Sequence, residues 1–203
     1  QAVCMQENSS RRSNRDRTEE TRTALLSAAR ALFIEKGYAD TGTPEIVKAA
    51  NVTRGALYHH YRDKEDLFRA VIEREASMVS AEIGRSTVSA ETPFDALASG
   101  SEAYFDAMAT QGRTRLLLLD GPAVLGPEEM SRIDRETGGG SLLEGLAAHF
   151  GRTPDPEMKT LADLLSAAFD RAALAIAHGA PRGNYEDAMA KLLRTLASTD
   201  TRI

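Results

Sequence analysis

TPEIVKAANVTRGALYHHY, residues 43–61, has the pattern of two short helices joined by a tight turn. Thr43 and Pro44 have the chemistry of a helix start, and the Thr53 hydroxyl can cap a second helix. Between the helices, Asn51 tolerates the left-handed backbone that such a turn requires. The helices would cross at small or apolar residues: Ile46, Ala49, Ala50, Val52 and Leu57. We therefore predict a helix-turn-helix, with helices from residue 43 to about 50 and from 53 to about 61.

The second of these helices has a face suited to DNA. Its exposed side would present residues that can bond bases or phosphates: Thr53, Arg54, Gly55, Tyr58 and His59. Glycine inside a helix costs about 1 kcal/mol, so Gly55 indicates that a partner approaches the backbone closely. The pattern predicts a recognition helix for the major groove.

The adjacent His59 and His60 do not predict a metal site. Neighbouring side chains diverge by about 100° around a helix. No acidic or cysteine residue stands at ligand spacing from them. We expect His60 to be packed, His59 to be exposed, and the protein to need no metal or cofactor.

Apolar residues at helical spacing flank this motif on both sides. The preceding helix would end at Gly37 and bury one stripe: Leu25, Leu26, Ala29, Leu32 and Phe33. Asp63 would cap a fourth helix from Lys64 to about Arg85, whose inner side reads Leu67, Phe68, Val71, Ile72, Glu75 and Val79.

The rest of the chain also predicts helices. Pro, Gly and capping residues divide it into segments over residues 93–112, 113–120, 127–137, 141–150, 156–179 and 184–199. We expect Gly121-Pro122 to lie in a loop and Gly138 to Gly140 to form a flexible linker. Ser141 and Glu144 have the spacing of a capping box.

No stretch alternates long enough to predict a strand, so we expect an all-α fold. It would comprise a flexible arm over residues 1–17, a three-helix helix-turn-helix DNA-binding domain over 18–62, and a helical domain for ligand sensing and dimerisation over 63–203.

Charge is distributed unevenly along the 203 residues. The net charge is -5, yet residues 1–75 hold 13 Lys and Arg against 12 Asp and Glu, whereas residues 76–203 hold 12 against 18. This balance argues against wholesale coating of DNA but permits docking through a local basic face.

The chain has one cysteine, Cys4, so an intrachain disulfide is impossible. Its longest strongly apolar run, Leu116 to Leu119, is far shorter than a membrane span, and its N-terminus lacks the apolar core of a secretory signal. We expect a cytoplasmic protein without membrane contact.

Residues 20–75 resemble the TetR family of bacterial regulators. The matching positions are Gly37, Tyr38, Thr43, Ile46, Val47, Ala50, Asn51, Val52, Thr53, Gly55, Leu57, Tyr58, His60, Tyr61, Lys64, Glu65 and Leu67. Three details depart from the family pattern: Ile46 follows Thr43 one residue sooner than usual, Asn51 replaces a common glycine, and Tyr61 replaces a common phenylalanine. None of these departures removes a chemical role.

The resemblance implies roles for single residues. Tyr58 and Lys64 would contact phosphates, Thr43 and Thr53 would anchor helix N-termini to the DNA backbone, and Arg54 with His59 would read bases. It also implies a homodimer formed by the last two helices. Their sequences offer surplus apolar surface at Leu161, Leu164, Leu165, Ala168, Ala172, Ala175, Leu192, Leu193 and Leu196.

Residues that could line a ligand cavity are Tyr104, Phe105, Met108 and Phe169, although aromatic residues at helical spacing are more often plain core. Arg113 and Asp120 could orient a polar ligand group, although exposure to solvent is the simpler expectation.

Together these features predict a ligand-responsive repressor. It would bind a palindromic operator in double-stranded DNA as a dimer and be released by a small-molecule effector. An activator of the same fold and a helical protein-interaction module without DNA binding are the alternatives. The sequence contains no nucleophile triad order, metalloprotease motif or dinucleotide-binding motif, so we do not expect an enzyme.

Overall fold

The computed structural model describes the backbone of residues 3–199 and the side chains of residues 15–198. Within that range the protein contains helices and no strand, which confirms the predicted all-α fold. The helices are α1 Val3–Asp40, α2 Thr43–Ala49, α3 Arg54–His60, α4 Lys64–Thr87, α5 Pro93–Met108, α6 Arg113–Arg115, α7 Gly121–Leu125, α8 Pro127–Arg135, α9 Gly138–Phe150, α10 Pro156–Ala177 and α11 Arg182–Thr199, with a π-helical turn at Leu116–Asp120 between α6 and α7.

The chain divides into two compact units, Gln1–Val71 and Ile72–Ile203. The division falls inside α4, whereas the sequence predicts it before that helix. The reason is aromatic packing at the start of α4. The ring of Phe68 lies 5.0 Å from the rings of both Phe33 and Tyr38, so the first turns of α4 belong to the core of the first unit.

The first unit is built around the predicted stripe of α1. Leu25, Ala29 and Phe33 are fully buried, and Leu32 is half-buried. Gly37 adopts φ 83°, which L side chains rarely adopt, and kinks α1 where the sequence predicts its end. Toward the N-terminus, α1 begins at Val3, so the backbone of residues 3–17 is helical where a flexible arm is predicted. That segment is polar but contains four Arg, a residue type that forms helices readily.

The second unit buries a core contributed mainly by α5, α9, α10 and α11. It centres on Leu97, Phe105, Leu146, Met158, Ala162, Leu165, Phe169, Ala172, Met189 and Leu193. Helix starts follow the sequence in two places. Thr92 accepts from the Asp95 N–H at 3.1 Å, and Asp155 accepts from the Met158 N–H at 2.8 Å.

Three predictions for this unit are wrong. Gly121-Pro122 is not a loop, because the Gly121 N–H bonds the Leu116 carbonyl five residues earlier and the helix continues into α7. Gly138 to Gly140 is not a linker but the first turn of α9. Ser141 and Glu144 form no capping box, since α9 starts earlier and the Ser141 hydroxyl donates to the Thr137 carbonyl.

Candidate DNA-binding helix and ligand cavity

The turn between α2 and α3 has the predicted geometry. Asn51 adopts φ 53°, and it is the only described non-glycine residue with positive φ. The Thr53 hydroxyl accepts from the Ala56 N–H at 3.1 Å and caps α3. Ile46 and Leu57 are fully buried where the helices meet. These contacts fix α3 in a defined orientation on α2.

Two details of α2 differ from expectation. Its N-cap is Gly42 rather than Thr43, which is the first helical residue and makes no capping bond. Ala49 is exposed rather than placed at the helix crossing. Ala50 and Val52 are half-buried, as a crossing point requires.

The exposed face of α3 gathers most of the predicted DNA-binding residues. Arg54, Gly55, Tyr58 and His59 are all exposed, and Tyr58 shows 43% of its surface. The Arg54 guanidinium lies 5.4 Å from the centre of the Tyr58 ring. Hydrogen bonding to the side chains of Thr43 and Arg54 lowers the pKa of Tyr58. Thr43, Arg54 and Tyr58 therefore form one polar surface across α2 and α3.

Nothing in the packing of the first unit requires glycine at position 55. A Cβ at this position would meet only the Thr53 hydroxyl oxygen, at an ordinary contact distance of 3.8 Å. The backbone there is normal helix, so an alanine would fit and be favoured by about 1 kcal/mol. The glycine leaves the backbone of the first turn of α3 open to another molecule.

Lys64 stands apart from this surface. Its ammonium donates to the Tyr38 carbonyl at 2.9 Å and lies 4.2 Å from the centre of the Tyr38 ring. These contacts hold the lysine beside α1 at the start of α4 and use only part of its donor capacity.

The two histidines behave as predicted. His59 is exposed, and His60 is half-buried, where burial and the neighbouring charges of His59 and Arg22 lower its pKa. Among the described residues, no group of three His, Cys, Asp or Glu side chains could hold a metal ion.

Four cavities lie in the described part of the second unit. Two of them adjoin, with volumes of about 300 and 250 Å³, and the other two, of about 380 and 470 Å³, lie on either side of Arg182. Tyr104, Asp134, Gly138 and Ser166 line both of the adjoining cavities. The first cavity extends over Leu117, Leu118, Met130 and Ile133 toward Asp163 and Asp170, and the second over Ile83, Leu97, Leu142 and Phe169. The first volume is at the lower limit of the usual range for small-molecule sites, about 300 Å³, and the second lies just below it.

The predicted ligand residues divide between cavity and core. Tyr104 lines both cavities, Met108 lines the first and Phe169 the second. Phe105 lines neither of these two, since its ring packs 5.7 Å from that of Phe169, but together with Met108 it lines the separate cavity of about 380 Å³. Asp120 also lines neither, and it forms an ion pair with Arg115 at 3.2 Å.

Two of the acidic side chains that line these cavities accept hydrogen bonds from neighbouring hydroxyls, and the sequence did not predict them as site residues. The Tyr104 hydroxyl donates to Asp170 at 2.8 Å, and the Ser166 hydroxyl donates to Asp134 at 3.0 Å. Burial raises the pKa of both acids, that of Asp170 to about 6. Burial and the nearby Asp170 charge also raise the pKa of Tyr104 well above its ordinary value.

The sequence does contain a signal for Asp170. It stands four residues after Ser166, so both polar side chains lie on one side of α10, beside its apolar stripe. Asp134 had no such signal. Its position depends on Gly139, whose N–H donates to the carboxylate at 3.2 Å and where any Cβ would overlap that carboxylate.

Arg113 is buried rather than exposed, with 1% of its side chain accessible. Its guanidinium bonds Glu75 at 3.0 Å, Glu82 at 3.2 Å and the Ala107 carbonyl at 2.7 Å. It does not line either cavity. Glu75 falls on the inner stripe of α4, and that placement of a charge among apolar residues was the available signal.

The apolar residues predicted for a dimer interface also divide. Leu165, Ala172, Ala175 and Leu193 are buried in the core of the unit and leave little surface for a partner. Leu161, Ala168 and Leu196 are partly buried against that core. Leu164 and Leu192 remain exposed, at 64% and 40%, and are the large apolar side chains that α10 and α11 present to solvent.

No helix in the described part of the chain combines the length and apolar character that a membrane span requires.

Each of the two units matches a model of a known protein family. Residues 25–71 match the family model for bacterial regulatory proteins of the tetR family, and residues 94–199 match that for the tetracyclin repressor-like C-terminal domain. The Transposon Tn10 TetC protein of Escherichia coli is 32% identical over 57% of this chain and 58% of its own length. The regulator AcrR of Shigella flexneri is 34% identical over 53% of this chain and 50% of its own. The chain thus spans about half the length of the curated relatives it matches.

Solved structures extend the similarity over the whole fold. A TetR-family transcriptional regulator of Pectobacterium atrosepticum is 30% identical, with a TM-score of 0.65 over 90% of this chain and 94% of that one. A TetR-family regulator of Streptomyces coelicolor, 19% identical, has a TM-score of 0.68 over 89% and 95% of the two chains and shares the fold.

Proposed function

This chain belongs to the TetR family of bacterial regulatory proteins, and we propose that it is a repressor that binds operator DNA as a dimer and releases it when a small molecule binds. The exposed face of α3 carries this proposal. Arg54 offers a forked donor for base edges, Tyr58 a hydroxyl for phosphate, and Gly55 an open backbone for close approach. Because bacterial operator DNA lies in the cytoplasm, this role would require the protein to be cytoplasmic.

Dimerisation is supported by α10 and α11. Leu164 and Leu192 leave apolar surface exposed that a second copy of the same helices would cover. A two-fold dimer reads a palindromic site when its recognition helices enter major grooves about 34–36 Å apart.

Release by an effector is supported by the cavities of the second unit and by the course of α4. This helix begins in the first unit and lines both adjoining cavities with Ala76, Val79, Ile83, Gly84 and Thr87. A ligand that displaces α4 would change the separation of the two recognition helices and weaken operator binding.

Selection from a random duplex DNA pool tests the proposal. We expect an enriched motif with two-fold symmetry, and we expect the Arg54→Ala variant to lose the base preference at specific positions of each half-site. Exposed Arg85 provides the matched control, since Arg85→Ala should enrich the same motif. Recovery of no motif by the wild-type protein would favour the alternative of a helical interaction module.

An activator shares every feature described above. In vitro transcription from a promoter that contains the selected motif separates the two, because a repressor lowers the transcript yield and an activator raises it.

A further inference from the structure

The two adjoining cavities of the second unit, which share Tyr104 and Asp134, have a one-sided charge. Every charged side chain that lines them among the described residues is acidic: Asp134, Asp163 and Asp170 at the first, and Asp134 and Glu144 at the second. Neither lining includes a described lysine, arginine or histidine. The remaining side chains are mostly apolar, so the carboxylates are the groups that would give a ligand its orientation.

Asp170 and Asp134 are held by neutral donors. Asp170 accepts through Oδ1 from the Tyr104 hydroxyl, and its Oδ2 has no hydrogen-bond donor among the described residues. Asp134 accepts from the Ser166 hydroxyl and the Gly139 N–H. Neither carboxylate forms an ion pair within the described part of the chain. Their negative charges are oriented but not balanced by a contacting cation.

Both carboxylates are half-buried, and an unbalanced charge there is costly, because the partly apolar surroundings do not replace all of the hydration that the charge loses. Burial and mutual repulsion raise the pKa of Asp170 to about 6, and Asp163 adds to the raised pKa of Asp134, while the charge of Arg135 opposes it. A folded protein would gain stability by placing leucine or asparagine there. Retaining two acids beside an open cavity is explained if the ligand supplies the missing positive charge.

We propose that the effector of this cavity is an organic cation, a protonated amine attached to an apolar body. The ammonium group would donate to Oδ2 of Asp170 and to Asp134, beside the Tyr104 ring. The apolar body would lie against Leu117, Met108 and Met130. The proposal rests on the proposed role of the cavity as effector site, and it adds the chemical class of the effector.

Three probes with one apolar body and different charge test this: 1-naphthylmethylamine, 1-naphthalenemethanol and 1-naphthoic acid. Isothermal titration calorimetry with the full chain at pH 7.5 measures their affinities. We expect the amine to bind at least tenfold more tightly than the alcohol and the acid to show the weakest affinity. Preference for the alcohol or the acid, or no detectable binding of the amine at millimolar concentration, would overturn the proposal.

Variants identify the residues responsible. Asp170→Asn and Asp134→Asn keep the side-chain shape and should each weaken amine binding at least tenfold while leaving alcohol binding within threefold. Glu102→Gln is the matched control, because Glu102 is an exposed carboxylate of the same unit that lines neither of these cavities. A thermal melt verifies folding of each variant. If Asp170→Asn and Asp134→Asn both keep the wild-type preference for the amine over the alcohol, the proposal is also contradicted.

Failure of this inference is distinguishable from failure of the proposed function, since the calorimetry contains no DNA. If the protein binds the selected operator DNA normally but does not bind the amine, the proposed cationic effector is refuted and the proposed regulator function stands. Amine binding without any specific DNA binding would do the reverse.

Discussion

The guanidinium of Arg113 donates a hydrogen bond to Glu75 at 3.0 Å, and the side chains are 1% and 2% exposed. This pair joins the short helix α6 to α4 inside the second unit. A third group, Glu82, lies 3.2 Å from the same guanidinium at the edge of the core. The arrangement ties the part of α4 nearest the cavities to the segment that follows α5.

Removal of Arg113 should destabilise the protein strongly. Arg113→Met leaves Glu75 buried without a partner, and breaking such a pair costs about 3–5 kcal/mol. Urea unfolding followed by circular dichroism measures the loss. Arg132→Met is the matched control, because Arg132 pairs with Glu73, Glu129 and Glu136 in partly exposed positions and should matter far less. Equal effects of the two substitutions would show that burial of the Arg113 pair does not matter for stability.

Asp170→Asn should stabilise the protein at neutral pH. The pKa of Asp170 is raised from 3.8 to about 6 in the folded state, so the fold binds its proton more tightly than the unfolded chain does. The resulting stability is present below pH 4 and is lost as pH rises through about 6. At 1.36 kcal/mol per pKa unit the loss is about 3 kcal/mol, which the substitution recovers.

Urea unfolding at pH 7.5 and pH 4.5 checks this. The stability gained by Asp170→Asn should be largest at pH 7.5 and much smaller at pH 4.5, where the wild-type acid is mostly protonated. Glu102→Gln, at an exposed position that lines neither of these cavities, is the matched control for removal of a carboxylate. A gain independent of pH would mean that ionisation of Asp170 is not its source.

Tyr58→Phe and Arg54→Ala should weaken DNA binding in different ways. Loss of the Tyr58 hydroxyl removes a sequence-independent contact, so affinity for all DNA should fall by a similar factor. Loss of Arg54 removes a base contact worth about 1–3 kcal/mol and should relax sequence preference. Competition binding with operator and mutated operator separates the effects. Wild-type affinity in both variants would refute α3 as the recognition helix.

Leu164→Glu and Leu192→Glu should each dissociate the proposed dimer. Each substitution places a charge on the apolar surface that α10 and α11 expose, where a partner would have to bury it. Light scattering after size-exclusion chromatography measures the mass. Val88→Glu serves as the control, because Val88 is 85% exposed outside that surface and its substitution should leave a dimer intact. If the Leu164 and Leu192 variants remain dimeric, the interface lies elsewhere.

The sequence predicts the helix-turn-helix well because its determinants are local. The cap at Thr53, the left-handed Asn51 and the buried Leu57 all act within a few residues, and each appears in the structure as predicted. The same holds for Gly37, whose positive φ requires no information from the rest of the chain.

The cavities depend on contacts between distant residues, and the sequence predicts them less well. The Tyr104 hydroxyl donates to Asp170, which is 66 residues further along the chain. Asp134 is held by the N–H of Gly139, which approaches it closely. From the local sequence alone, the glycine run 138–140 indicates a flexible linker. In the structure that run permits tight packing against a carboxylate, and local patterns do not distinguish the two.

Fluorescence anisotropy with a labelled duplex of the selected motif tests the central claim most directly. The protein should bind saturably, resist an excess of unrelated DNA, and lose affinity steeply as salt rises, since phosphate contacts release counterions. Binding that unrelated DNA competes away equally, at every salt concentration, would contradict a sequence-specific DNA-binding regulator.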